Sequence, residues 1–94
     1  MSVAERGQIF GEEIMLVVKW SNKNKVRTEL LSIVRDIIKA HNWTQTVAAD
    51  MLELDQPKIS SIENLKTKGF SAERIFMLLS LLDCEVEITV KRNY

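Results

Sequence analysis

The residues of this chain best suited to chemistry form a short run of hydroxyls, carboxamides and lysines, Gln56-Pro57-Lys58-Ile59-Ser60-Ser61-Ile62-Glu63-Asn64. At about 100° of rotation per residue, a helix over this run points Ile59 and Ile62 one way and Pro57, Ser60, Ser61 and Asn64 the other. Gln56 and Lys58 flank that polar side near its start. Solvated helices usually show longer Glu and Lys side chains, whereas short side chains allow a close approach. Gln and Asn can pair bidentately with adenine, and Lys can reach guanine acceptors or phosphate. The chemistry on offer is recognition of base edges, with Lys66 and Lys68 just beyond the run to hold phosphates in register. Between 56 and 68 three lysines face a single acid, Glu63.

Other chemistries find little support. His41 is the sole histidine and Cys84 the sole cysteine, which rules out both a zinc finger and an internal disulfide. With three glycines in the chain there is no glycine-rich phosphate loop, and no nucleophile–histidine–acid arrangement is legible, so neither enzyme activity nor a metal or cofactor is expected. His41, near a helix end, is explained by the carbonyl terminus there, and Cys84 reads as a small packing residue. Trp43 and Phe70 adjoin helix starts and read as core anchors. Trp20 is open to a role at an interface, where large aromatics contribute heavily.

Ninety-four residues at 46% apolar and 28% charged suit one small globular domain. No apolar run exceeds five residues, the length of 14–18, far short of the roughly 20 that a membrane helix requires. The first twenty residues lack a basic start, apolar stretch and cleavage site, which predicts a cytoplasmic protein. Thirteen basic and thirteen acidic residues cancel, so binding to an anionic polymer must come from a local patch.

Hydrophobic period supplies the elements that position the polar run. Apolar residues at Leu30, Ile33, Val34, Ile37 and Ile38 mark an amphipathic helix over 26–41, preceded by a break at 21–25. Thr44 serves as N-cap of a second helix to 51 or 52, with Val47, Ala48, Met51 and Leu52 as its inner side. Asp55 caps a third helix through about 63, and Pro57 fits its first turn, where an amide hydrogen lacks an intrahelical partner. Ser71 caps a fourth, to Leu82, with Ile75, Leu78, Leu79 and Leu82 as its stripe. Residues 85–91 alternate polar with apolar, which predicts a half-buried strand. The run 14–20 suits a short strand within an N-terminal arm, 1–22, and residues 1–13 read as loose. The helical domain spans 23–94.

Two short helices joined by about three residues form a helix-turn-helix candidate. The strings Trp43-Thr44-Gln45 with Ala48 and Leu52, then Gln56-Pro57-Lys58-Ile59-Ser60, Glu63-Asn64, Lys66 and Phe70-Ser71 resemble the XRE/Cro family of phage-repressor-like helix-turn-helix proteins over about residues 26–91. The resemblance implies a mostly α, lambda-repressor-like bundle of four to five helices with a short C-terminal strand. It implies that Gln45 touches phosphate, that Gln56, Pro57 and Ser61 face base edges with Lys58 and Ser60 beside them, and that Asn64, Lys66 and Lys68 match the backbone-contacting end. Two positions depart from the family pattern. Glu53 and Leu65 stand where it usually has glycine, so left-handed backbone there would be strained.

The fourth helix running into a terminal strand resembles the compact subgroup that includes HigA-type antitoxins, which bind operator DNA and neutralise a ribonuclease toxin. Two functions follow as expectations. One is a transcriptional repressor that binds double-stranded DNA as a homodimer on a palindromic operator. The other is an antitoxin whose main role is capture of a toxin protein. A lone strand is marginal, so Val86, Ile88 and Val90 are expected to pair across the dimer axis, with 14–18 as the alternative partner inside the chain.

Overall fold

Asn22 starts the first helix, four residues ahead of Val26, because its side-chain carbonyl accepts from the Lys25 amide at 2.9 Å and so closes the first turn. The break expected at 21–25 therefore shrinks to Ser21 and Asn22. In the computed structural model, which describes residues 7–10 and 13–93 (the backbone alone for 7–10 and 13–15), the elements run β1 (Gly7–Phe10), β2 (Glu13–Leu16), α1 (Lys23–Ala40), α2 (Gln45–Leu52), α3 (Gln56–Glu63) and α4 (Ala72–Leu81).

The three later caps match the sequence reading. Thr44, Asp55 and Ser71 each accept, through a side-chain oxygen, from the amide three residues on, at 3.2, 2.9 and 3.1 Å. Fourteen apolar side chains then close one core among the four helices. From α1 come Val26, Leu30, Leu31, Ile33, Val34 and Ile38; α2 adds Ala48 and Leu52; α3 adds Ile59 and Ile62; α4 adds Ile75, Leu78 and Leu79. Phe70, in the connection between α3 and α4, has no exposed surface. Its carbonyl accepts from Nη1 of Arg27 at 3.2 Å, which ties that connection to α1.

Two sequence expectations for this core are corrected. Val47 and Met51 are exposed, because an eight-residue helix has room for one inward i, i+4 pair, and Ala48 and Leu52 take it. Leu82 ends half-buried at the C-cap of α4. Trp43 is half-buried beside the core and stacks on His41, with ring centroids 4.6 Å apart.

The strand expectations change more. Residues 13–16 do form a strand, but Val17 to Trp20 do not continue it. Its partner is β1, antiparallel, in the register Gly7↔Leu16 to Phe10↔Glu13, so the arm expected to be loose is a hairpin where it is described; residues 1–6, 11 and 12 lie outside the described residues. β2 pairs with β1 and not with the C-terminal segment. Residues 84–93 take no regular secondary structure; a ladder needs two segments, and no described strand is paired with them. The C-terminal strand of the expected fold is thus absent from the single chain. Leu16 and Val18 pack against the helical core, and among the described residues no helix is long and apolar enough to cross a membrane.

All four helices stop in the same way. Asn42, Glu53, Leu65 and Asp83 each take a left-handed backbone, with φ between 52° and 60°. Their amides donate to the carbonyl three residues back at 3.0–3.3 Å, and the next residue's amide reaches five back at 2.9–3.4 Å. These paired bonds satisfy carbonyls that a helix end leaves open. Asn and Asp tolerate the left-handed region, but Glu53 and Leu65 carry its cost, about 1–2 kcal/mol each. The strain expected at those two positions is present, and the turn keeps its geometry in spite of it.

Glu53 is exposed, so Glu53→Gly removes strain without opening a cavity. Net of the greater freedom glycine adds to the unfolded chain, stability should rise by about 0.5–1 kcal/mol, visible as a higher midpoint in thermal melting followed by circular dichroism. An unchanged or lower midpoint would show that the turn is relaxed as it stands.

Candidate nucleic-acid interface

Burial of Ile59 and Ile62, both without exposed surface, fixes which side of α3 meets the core. The opposite side is left to Gln56, Pro57 and Asn64, all exposed, with Ser60 and Ser61 half-buried among them. α3 is therefore a short rod with its aliphatic side sealed and its hydroxyl and amide side open. Pro57 lies in its first turn, as the sequence predicts.

Hydrogen bonds set what each polar side chain still has to offer. Nε2 of Gln56 donates to Oγ1 of Thr46 at 3.3 Å, which leaves one N–H and the carbonyl oxygen, the donor–acceptor pair that bidentate adenine recognition uses. The Ser61 hydroxyl donates to the Pro57 carbonyl at 3.2 Å and keeps its lone pairs. Nδ2 of Asn64 donates to the Ser60 carbonyl at 2.8 Å, so the carboxamide folds over the last turn of α3. Gln45, exposed at the start of α2, donates from Nε2 to Oε2 of Glu63 at 3.3 Å. α2 and α3 are thereby linked by side chains at both ends of α3, through Thr46 and through Glu63.

The lysines divide. Lys66 and Lys68 are exposed in the connection after α3. Lys58 is half-buried, with Nζ 5.2 Å from the centroid of the Phe70 ring, a cation–π arrangement. That position depends on Gly69, at φ +85°: a β-carbon there would lie 2.8 Å from the Lys58 ammonium. Lys58 thus leans toward the 66–70 connection, while Pro57, Ser60 and Ser61 hold the middle of the open face and Gln56 its flank at the start of the helix. Two acids stand near this surface. Asp55 directs its carboxylate to the Lys58 amide, and Glu63 is engaged by Gln45.

Residues to which the sequence assigns no role at the site complete it. Thr46, Glu63 and Arg27 hold Gln56, Gln45 and the Phe70 carbonyl respectively. Thr46 had a local signal, a hydroxyl in the first turn of a helix whose neighbour begins with a glutamine. Arg27 had none, since its bond spans forty-three positions. Away from this face, burial pushes the Cys84 thiol up from its ordinary range and the Asp83 carboxylate adds to the shift, so the sulfur stays protonated near neutrality. No group of three or more His, Cys, Asp or Glu side chains able to hold a metal exists among the described residues.

Comparison with known proteins agrees with this geometry. A family described as a helix-turn-helix domain matches residues 18–91. A solved structure assigned to the XRE family of transcriptional regulators is 34% identical and superposes with a TM-score of 0.72, covering 76% of this chain and 80% of its own. No curated protein matches the chain. The family match runs from ahead of α1 to beyond α4, and the identity holds over most of both chains, so this protein belongs to the helix-turn-helix domain family, in its XRE branch.

Proposed function

We propose that this protein is a DNA-binding transcriptional regulator that lays α3 in the major groove and represses a promoter by occupying it. The observation that carries the reading is the open face of α3, where Gln56, Pro57, Ser60 and Ser61 are short enough to approach base edges while Ile59 and Ile62 anchor the rod from behind. Gln56 and Ser61 read bases, with Pro57, Lys58 and Ser60 beside them. Gln45, Asn64, Lys66 and Lys68 contact the phosphate backbone and set the register. The likeness to a regulator of the XRE family supports the same reading.

One such helix with so few cations binds weakly, because affinity for DNA rises with the number of phosphates neutralised. A homodimer answers this. Val86, Ile88 and Val90 are exposed on one side of an alternating segment, Ile88 and Val90 at 74% and 87%. Two copies of residues 85–91 pair antiparallel across a two-fold axis, which supplies the missing ladder and places two α3 helices about 34 Å apart on a palindromic operator. A second reading adds a protein partner of the antitoxin kind, favoured by Val17 and Trp20, which stand 72% and 70% exposed between β2 and α1.

Each part has its own test. Gln56→Glu and Ser61→Glu should abolish operator binding in an anisotropy titration at fixed salt while the circular dichroism spectrum stays that of the wild type; unchanged affinity removes α3 from the groove. Lys68→Ala should weaken all duplexes about equally and lower the salt slope by about one unit. Ile88→Glu should convert a dimer into a monomer by light scattering, and a dimer that survives it is joined elsewhere. For the second reading, co-expression with a ribonuclease encoded beside this gene should show protection that Trp20→Ala diminishes. No protection by the wild type ends that role.

A further inference from the structure

Glu63 occupies an odd place for an acid. It is the last residue of α3, where the helix carbonyls disfavour negative charge, and it is the only acid between residues 56 and 68. Its carboxylate reaches across to the first residue of α2 and accepts from Nε2 of Gln45 at 3.3 Å. That one side-chain bond, made to the C-terminal end of α3, is the contact the structure gives the carboxylate. An anion is held on the side chain that the reading above directs at a DNA phosphate.

We propose that Glu63 is a positioning residue that stands in for a DNA phosphate on Gln45, and that docking exchanges the carboxylate for the phosphate. This inference rests on the DNA-binding reading. Carboxylate and phosphate are both pure acceptors and both anionic, so they compete for the carboxamide and repel each other when close. Glu63 therefore lowers affinity for every duplex alike, since the contact it blocks carries no sequence information. It also masks Gln45: in the free protein that side chain already has an anionic partner, so the gain from meeting a phosphate is reduced by the bond given up.

Glu63→Gln keeps the shape and an acceptor oxygen while removing the charge. Its titration against operator and random duplex should show both bound about two- to fivefold more tightly, the size expected for one exposed ionic contact. The decisive measurement is the double-mutant cycle with Gln45→Ala. Gln45→Ala should cost less than about twofold in the wild type but about fivefold in the Glu63→Gln background, a coupling that bulk charge alone would not produce. Equal costs in the two backgrounds, or no tightening by Glu63→Gln, overturn the proposal while DNA binding stands. No binding by the wild type and every variant at low salt overturns the DNA-binding reading itself, and this inference with it. Circular dichroism of each variant separates loss of contact from loss of fold.

Discussion

Everything on the working face depends on stopping four helices within very few residues. Eight residues in α2 and eight in α3 allow each about two turns, so the chain must reverse sharply or the isoleucines of α3 miss the core. The left-handed residue after each helix performs this reversal, and the two carbonyls it helps to satisfy would otherwise be open. At Glu53 the device sets the angle between α2 and α3 and so directs the polar side of α3 outward. At Leu65 it returns the chain toward Phe70, whose ring is buried and whose carbonyl Arg27 holds from α1. A backbone constraint two residues wide thus fixes the orientation of the polar face of α3.

Local signals in the sequence read well because they are made locally. Thr44, Asp55 and Ser71 each bond an amide three residues on, and hydroxyl or carboxylate before an apolar-periodic stretch announces that geometry. The division of α3 into an apolar and a polar side also follows from rotation per residue alone, and the structure keeps it. Signals that depend on a distant partner read poorly. Val47 and Met51 are as apolar as their neighbours, and nothing nearby says that Ala48 and Leu52 would fill the contact instead. Lys23 and Lys25 oppose the helix dipole at the start of α1, and Asn22 outweighs them with its cap.

Strands are the extreme case of this difference, since a ladder is a property of two segments. Alternation at 85–91 marks a segment with one apolar side, yet among the described residues no strand pairs with it and the segment is exposed. The hairpin at the other end leaves little trace in the sequence for the opposite reason: the partner of β2 lies immediately before it, in a glycine-containing stretch with little period of its own. Within the candidate interface, the residue types were legible but their engagements were not. Lys58 leans over Phe70, and Gln45 is held by Glu63; both depend on distances between elements that spacing along the chain does not encode.

The exposed apolar side of the C-terminal segment carries a consequence for dosage. If two copies must meet before either can hold an operator firmly, the assembled form grows with the square of the free chain's abundance while that abundance is low. Promoter occupancy then responds to changes in protein level more steeply than a lone subunit could manage. Dilution, as in a dividing cell, releases the promoter sooner than the loss of mass alone predicts.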